Sequence, residues 1–251
     1  MDIGCAARKS VVKLDNGFFW LAKDERGQGQ IVRSIGYQPK VVSTPAIDYA
    51  ISQYSDISDA VAYSYQEDGH AFYVITFPTG GATWVYDTST NLWHERAYAN
   101  QTSGQLERHR GVYHAFFNGI HVVSDYNQSI IYRMGLDLLD DDGVNITRLR
   151  STPHIAQENM RILWRTVEID IETGTELGAD DPQMAMRWSD DSGNTWSNWR
   201  LGSWGKIGEY KKRVRFRRLG YSRDRIYEIS IVSDNKVSVV SAYADVEATR
   251  G

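Results

Sequence analysis

Through its first 134 residues the chain keeps returning to one pattern: a short segment that alternates apolar and polar side chains, followed by a Gly, Asn, Asp or Ser turn. "NGFFWLA" leads to "QIVRSI", "GHAFYVITF" to "ATWVYD" and "LWHERA", and "GVYHAFF" to "GIHVVSD" and "SIIYRM". Period-two alternation puts successive side chains on opposite faces of an extended backbone, so these segments are predicted as antiparallel strands joined by tight turns. They read as three imperfect copies of one unit. The copies open at Gly17, Gly69 and Gly111, 52 and 42 residues apart, close to the ~40 to 50 residues of a four-stranded propeller blade. Within them Asp87 precedes Trp93 by six positions and Asp125 precedes Ile131 by six. Each Asp stands at a strand end, where a carboxylate accepts turn N–H groups. The 12% aromatic content and 21 glycines suit such half-buried pleated surfaces and tight turns.

"TWVYDTSTNLWHER", residues 83–96, is the best preserved hairpin of the repeat. Alternation sets Trp84 and Tyr86 on one face and Val85 and Asp87 on the other. His94, Glu95 and Arg96 are expected to hold the strand edge by an ion pair or a backbone hydrogen bond. One helix is predicted near 44–54: Thr44 as N-cap, Pro45 in the first turn, and Ile47, Ala50, Ile51 and Tyr54 on one face.

The expected fold is all-β. Propeller-like blade repeats occupy 1–136, a linker follows over 137–155, where "LDLLDDDGVNITRLRSTPH" gathers charge, and a β-sandwich spans 156–251. Two and a half to three units fall short of the four or more blades of a closed propeller. Either the chain is then a fragment or a shortened form of a longer one, or its first strands complete a sheet with another chain.

Several function classes find no support. The single Cys5 excludes an internal disulfide framework and a cysteine zinc site. No apolar run approaches the ~20 residues of a membrane span, and "MDIGCAARKS" lacks a signal-peptide core, so the protein is expected to be soluble as made. His109, His114 and His121 are spaced by five and seven positions, which does not align all three on one face of an element. "DDDG" at 140–143 lacks the alternating carboxylates of a calcium loop and reads as a solvated turn. No phosphate loop, nucleophile elbow or zinc-protease motif is present.

Charge is strongly polarised behind a net value of −4. Residues 168–191 hold eight acids, Asp180 and Asp181 among them, against one base, whereas 206–225 hold nine bases against two acids. On a strand, Arg213, Arg215 and Arg217 share a face while Val214 and Phe216 point inward. With Arg218 they form a candidate interface, facing the acidic stretch of the same sandwich or of a neighbouring copy. Phosphate binding along DNA is the competing use.

"SDDSGNTW", residues 189–196, resembles the Asp-box of sialidases and related β-repeat proteins. Asp191 is expected to accept N–H groups in the turn, Gly193 to supply positive φ, and Trp196 to pack on the strand base. A sialidase-like hydrolase or glycan-binding module is therefore the alternative reading.

Taken in order, "GHAFYVITFPTGGATWVYDTSTNLWHER", "HRGVYHAFFNGIHVVSDYNQSIIYRM", "DDGVNITRLR", "RWSDDSGNTWS" and "RVRFRRLGYSRDRIYEISI" resemble the phage stabilisation family, the packaged DNA stabilisation proteins of short-tailed phages and prophages. The resemblance implies a non-enzymatic tail accessory protein without a cofactor, made in the bacterial cytoplasm and built into the virion. It implies a ring beneath the portal that extends the DNA channel and receives a tail needle or fibre protein.

Overall fold

The computed structural model describes residues 3–24, 27–158, 160–172, 182–205, 209, 212–233 and 237–249. They divide into two compact units, 1–138 and 139–251.

The described residues of the first unit form three antiparallel sheets of three or more strands and one two-stranded hairpin. β1 (Gly4–Cys5), β2 (Val12–Leu14), β3 (Gly17–Lys23), β4 (Gly29–Ile35) and β5 (Gln38–Val41) form the first, in order β1-β3-β4-β5 with β2 also on β3. Helix α1 (Pro45–Ser52) follows, its Ile47 N–H capped by the Thr44 hydroxyl and its Ile47 and Ile51 buried. β6 (Val61–Glu67), β7 (His70–Phe77), β8 (Ala82–Asp87) and β9 (Leu92–Glu95) make the second sheet as a simple meander. The hairpin β10 (Ala97–Ala99) and β11 (Leu106–Arg108) leads to β12 (Gly111–Phe117), β13 (Ile120–Asp125) and β14 (Ile131–Met134), the third sheet.

The second sheet is buried on both faces, which explains why β7 reads as a nearly unbroken apolar run. Tyr73, Ile75, Phe77 and Tyr86 pack against Phe19, Leu21 and Ile31 of the first sheet and Ile47 and Ile51 of α1. Tyr63, Tyr65, Phe72, Val74 and Val85 pack against Val123, Tyr132 and Met134 of the third sheet. Each large side chain so buried contributes about 1.5–3 kcal/mol. Face-to-face stacking of successive meanders is the arrangement of propeller blades. Polar ties cross between the repeats as well: the buried Tyr73 hydroxyl donates to the Ser10 carbonyl at 2.9 Å, and the Trp93 indole N–H to the Val42 carbonyl at 2.9 Å.

The second unit contains β15 (Asp140–Asp141), β16 (Val144–Asn145), β17 (Thr147–Ser151), β18 (Ile155–Ala156), β19 (Arg161–Ile171), β20 (Gln183–Ser189), β21 (Arg200–Ser203), β22 (Val214–Ser222), β23 (Asp224–Val232) and β24 (Val239–Thr249). One sheet runs β17-β23-β20-β21, with β18 also on β23, and the other β22-β19-β24. Between them lies a sandwich core of Ile162, Trp164, Val167 and Ile169 from β19, Met184 and Met186 from β20, Val214, Phe216 and Leu219 from β22, and Tyr227 and Ile231 from β23. A side chain at Gly202 would meet Val214 Cγ1 at 2.5 Å, so only glycine lets β21 close on β22.

The stretch expected as a linker is not one. β17 pairs with β23 through five residues, Thr147 to Val232 onwards, and "DDDG" turns the β15–β16 hairpin, with Asp140 Oδ1 accepting from the Gly143 N–H at 2.9 Å. β17 is an edge strand with mostly exposed side chains, so it lacks the apolar alternation by which a strand is recognised.

Candidate functional site

β22 presents Arg215 and Arg217 to solvent, with Arg213 just before it, while Val214 and Phe216 are buried. The structure commits two of these guanidinium groups within the sheet. Arg215 Nε lies 3.0 Å from Glu168 Oε1, and Arg213 lies 3.7 Å from Glu168 and 3.8 Å from Asp170. Arg217 and Arg218 have no carboxylate partner among the described residues. Asp180 and Asp181 lie outside the described residues.

Arg218 sits at an irregularity in the β19–β22 ladder, where the register shifts between Trp164 and Thr166. Its φ is 58°, a left-handed conformation that costs a non-glycine residue about 1–2 kcal/mol. A bulge of this kind re-aims a side chain, and here the exposed guanidinium leaves the row of its neighbours. Arg200, on β21, donates from Nη1 to the Arg217 carbonyl at 2.8 Å and to the Arg218 carbonyl at 3.4 Å. Three cations thus gather along one edge of the sheet.

The opposite edge was not singled out by the sequence reading. β24 places Asp245 beside Thr166, which is itself opposite Arg217, and Tyr243 beside Glu168, itself opposite Arg215. Glu247 is engaged by Arg165, and Asp245 makes no ion pair among the described residues. The signal lay in "ADVE", two acids two positions apart on a strand.

In the Asp-box turn, Asp191 accepts from the Ser189 hydroxyl at 2.7 Å, the Thr195 N–H at 2.8 Å and the Thr195 hydroxyl at 2.6 Å. The Thr195 hydroxyl and N–H, with Ser189, hold its carboxyl down at about 2. Gly193 has φ 90°, and Trp196 lies over the Arg187 guanidinium, 4.6 Å from it. An ionised carboxylate whose oxygens are taken by the turn is a lock, and it has no proton to give near neutral pH.

The Asp87 turn uses related chemistry in the first unit. Its carboxylate accepts from the Ser89 N–H at 2.9 Å and the Thr90 hydroxyl at 2.8 Å, and lies 2.8 Å from His70 Nδ1. Burial pushes this carboxyl up, but the Ser89 N–H, His70 and Thr90 together hold it below the usual range. Trp93 packs on Tyr86, ring centres 5.0 Å apart. In the third sheet Asp125 meets Arg110 at 3.0 Å in the corresponding place. At the strand edge, Arg96 donates its N–H to the Thr83 carbonyl at 2.9 Å and its guanidinium to the Tyr65 hydroxyl.

The histidines are arranged differently from the single-strand reading. His114 and His121 meet across the β12–β13 hairpin, Nε2 to Nδ1 2.8 Å, because a hairpin brings together positions that neither strand alone aligns. No cluster of three metal-ligating side chains occurs among the described residues, and no helix there is long and apolar enough to cross a membrane.

No curated protein matches the chain. Two family models do. The one described as bacteriophage P22 Gp10, beta-propeller, matches residues 1–138, and the one described as bacteriophage P22 Gp10, beta-sandwich, matches residues 147–247. With its stacked meanders followed by a two-sheet sandwich, the chain belongs to the phage stabilisation family of bacteriophage P22 Gp10, a family of structural proteins of the virion.

Proposed function

We propose that the chain is a tail accessory protein whose copies form a ring or hub below the portal, extend the tail channel and help retain packaged DNA. The observation that carries this reading is the presence of both family modules, in order, over nearly the full length of one chain. Its partners are then other copies of itself, the portal or a head-to-tail adaptor, and a tail needle or fibre protein. Contact with packaged DNA is non-specific.

The site chemistry supports a structural role. Asp191 and Asp87 commit their carboxylates to turns, and Arg213 and Arg215 commit their guanidinium groups to carboxylates of the same sheet. Light scattering of the purified chain, alone and with its portal protein, tests the assembly at low and high salt. A multi-subunit species that weakens with salt is expected. A strict monomer that also ignores the portal at every concentration overturns the reading, and turnover of a fluorogenic glycoside would replace it with the hydrolase alternative.

A further inference from the structure

The two edges of the β22-β19-β24 sheet carry opposite charge, and both are left over after the internal pairs are made. One edge gathers Arg200, Arg217 and Arg218, none with a carboxylate partner among the described residues. The other presents Asp245, which makes no ion pair among the described residues, its neighbouring cation Arg165 being held by Glu247. Arg217, Thr166 and Asp245 lie abreast across the three strands, so the unmatched charges occupy the two ends of a single row.

The β24 edge is also open in its packing. Ala242, Ala244, Val246 and Ala248 continue the rows of Ile169, Val167, Trp164 and Ile162. Those four β19 residues are buried, whereas the β24 residues are exposed. The apolar layer of the sandwich therefore runs one strand past its cover. At the other edge, the carbonyls of Arg217 and Arg218 are already occupied by Arg200, which blunts that edge against backbone pairing.

We propose that the Asp245 edge of one copy docks on the Arg217 and Arg218 edge of a second copy, head to tail, through side chains. The inference rests on the ring reading above and names the surfaces that make it. Because the two patches differ, the contact is heterologous, and successive copies close into a ring when the rotation between them allows. DNA is the poorer occupant of the arginine edge, because Glu168 and Asp170 share that sheet face and repel phosphate. The left-handed Arg218 fits the same account: the sequence keeps a guanidinium where glycine would relax the backbone.

The test is a charge exchange in the full chain. Asp245→Arg alone places cations on both edges, and Arg217→Glu with Arg218→Glu places anions on both. Each protein by itself is expected to lose self-association by about tenfold or more at low salt. Their equimolar mixture is expected to recover it, because every β24 edge then faces an arginine edge of opposite sign. Thermal melts check folding; if a reversal unfolds the protein, Asp245→Asn and Arg217→Gln replace it, with about a threefold loss expected. Wild-type assembly that neither reversal changes, or a mixture that stays apart, overturns the edge assignment and leaves the ring reading standing. Loss of DNA retention with assembly intact assigns the arginines to nucleic acid instead. A wild type that is monomeric even with the portal overturns both.

Discussion

Each unit sets an arginine among aromatic rings, and among the described residues only one of the two has a carboxylate partner. In the second unit Arg225, 1% exposed, grips Asp190 with two hydrogen bonds of 2.6 and 2.8 Å and donates to the Leu219 carbonyl at 2.7 Å, between the rings of Trp164, Trp188 and Tyr227. In the first unit Arg96 lies over Tyr65 and Phe72, 5.5 and 5.9 Å from their centres, and donates to the Tyr65 hydroxyl and the Met134 sulfur. It has no carboxylate in ion-pair reach among the described residues. Both act on their neighbours: the paired Arg225 counters the rise that burial gives the Tyr227 hydroxyl, and Arg96, with no carboxylate beside it among the described residues, opposes a second positive charge nearby. His109 registers this. Burial, and then Arg96, push its imidazole down to about 4.

The comparison breaks most readily at Arg225. Arg225→Ala leaves a void between three rings and the Leu219 carbonyl without its donor, while the half-exposed Asp190 regains water; the second unit is expected to lose about 3–4 kcal/mol, read from urea melts followed by tryptophan fluorescence. Next is acid. The native state holds the His109 proton more weakly than the unfolded chain does. The stability this contributes is therefore full above about 6.5 and lost as pH falls towards about 4, roughly 3 kcal/mol in all. The first unit should soften over that window in hydrogen exchange, and His109→Gln should flatten the dependence. In the second unit Asp191 is ionised down to about 2, so its contribution is present above about 3.9 and lost only below.

A smaller effect sharpens the contrast. Arg96→Met is expected to cost about 1 kcal/mol at pH 7 through lost ring contacts, while raising the His109 pKa and narrowing the acid loss. An unchanged pH profile in that variant would break the link between the two residues. Smallest of all, Asp191→Ala removes an exposed lock held within a single turn, and should lower Tm by less than any change above.

How far such features can be read in advance depends on whether they are local. The Asp191 turn was legible because Ser189, Asp191, Gly193 and Thr195 fall within seven residues, and the Asp87 turn for the same reason. β7 was legible from the turns that bound it, although burial on both faces replaces strict alternation with a nearly continuous apolar run. β17 was not, since an exposed edge strand can be as polar as a loop. His114 and His121 needed the hairpin to meet. The acids opposite Arg213 and Arg215 belonged to the expected acidic stretch, but the pairing with Glu168 and Asp170 follows from the ladder register of β19 and β22. The bulge at Arg218 was not legible, because its left-handed backbone runs against the preference of its residue type.

The bond from Trp93 to the Val42 carbonyl spans 51 residues, that from Tyr73 to Ser10 spans 63, and that from Thr88 to Asp15 spans 73. Each of these joins the second meander to the first, so neither can finish its surroundings alone. In kinetic terms the loops must close before the contacts reward them. The repeats should therefore not fold one after another as they emerge. Refolding of this unit is expected as a single slow phase, with the Trp93 environment and the first sheet becoming native together.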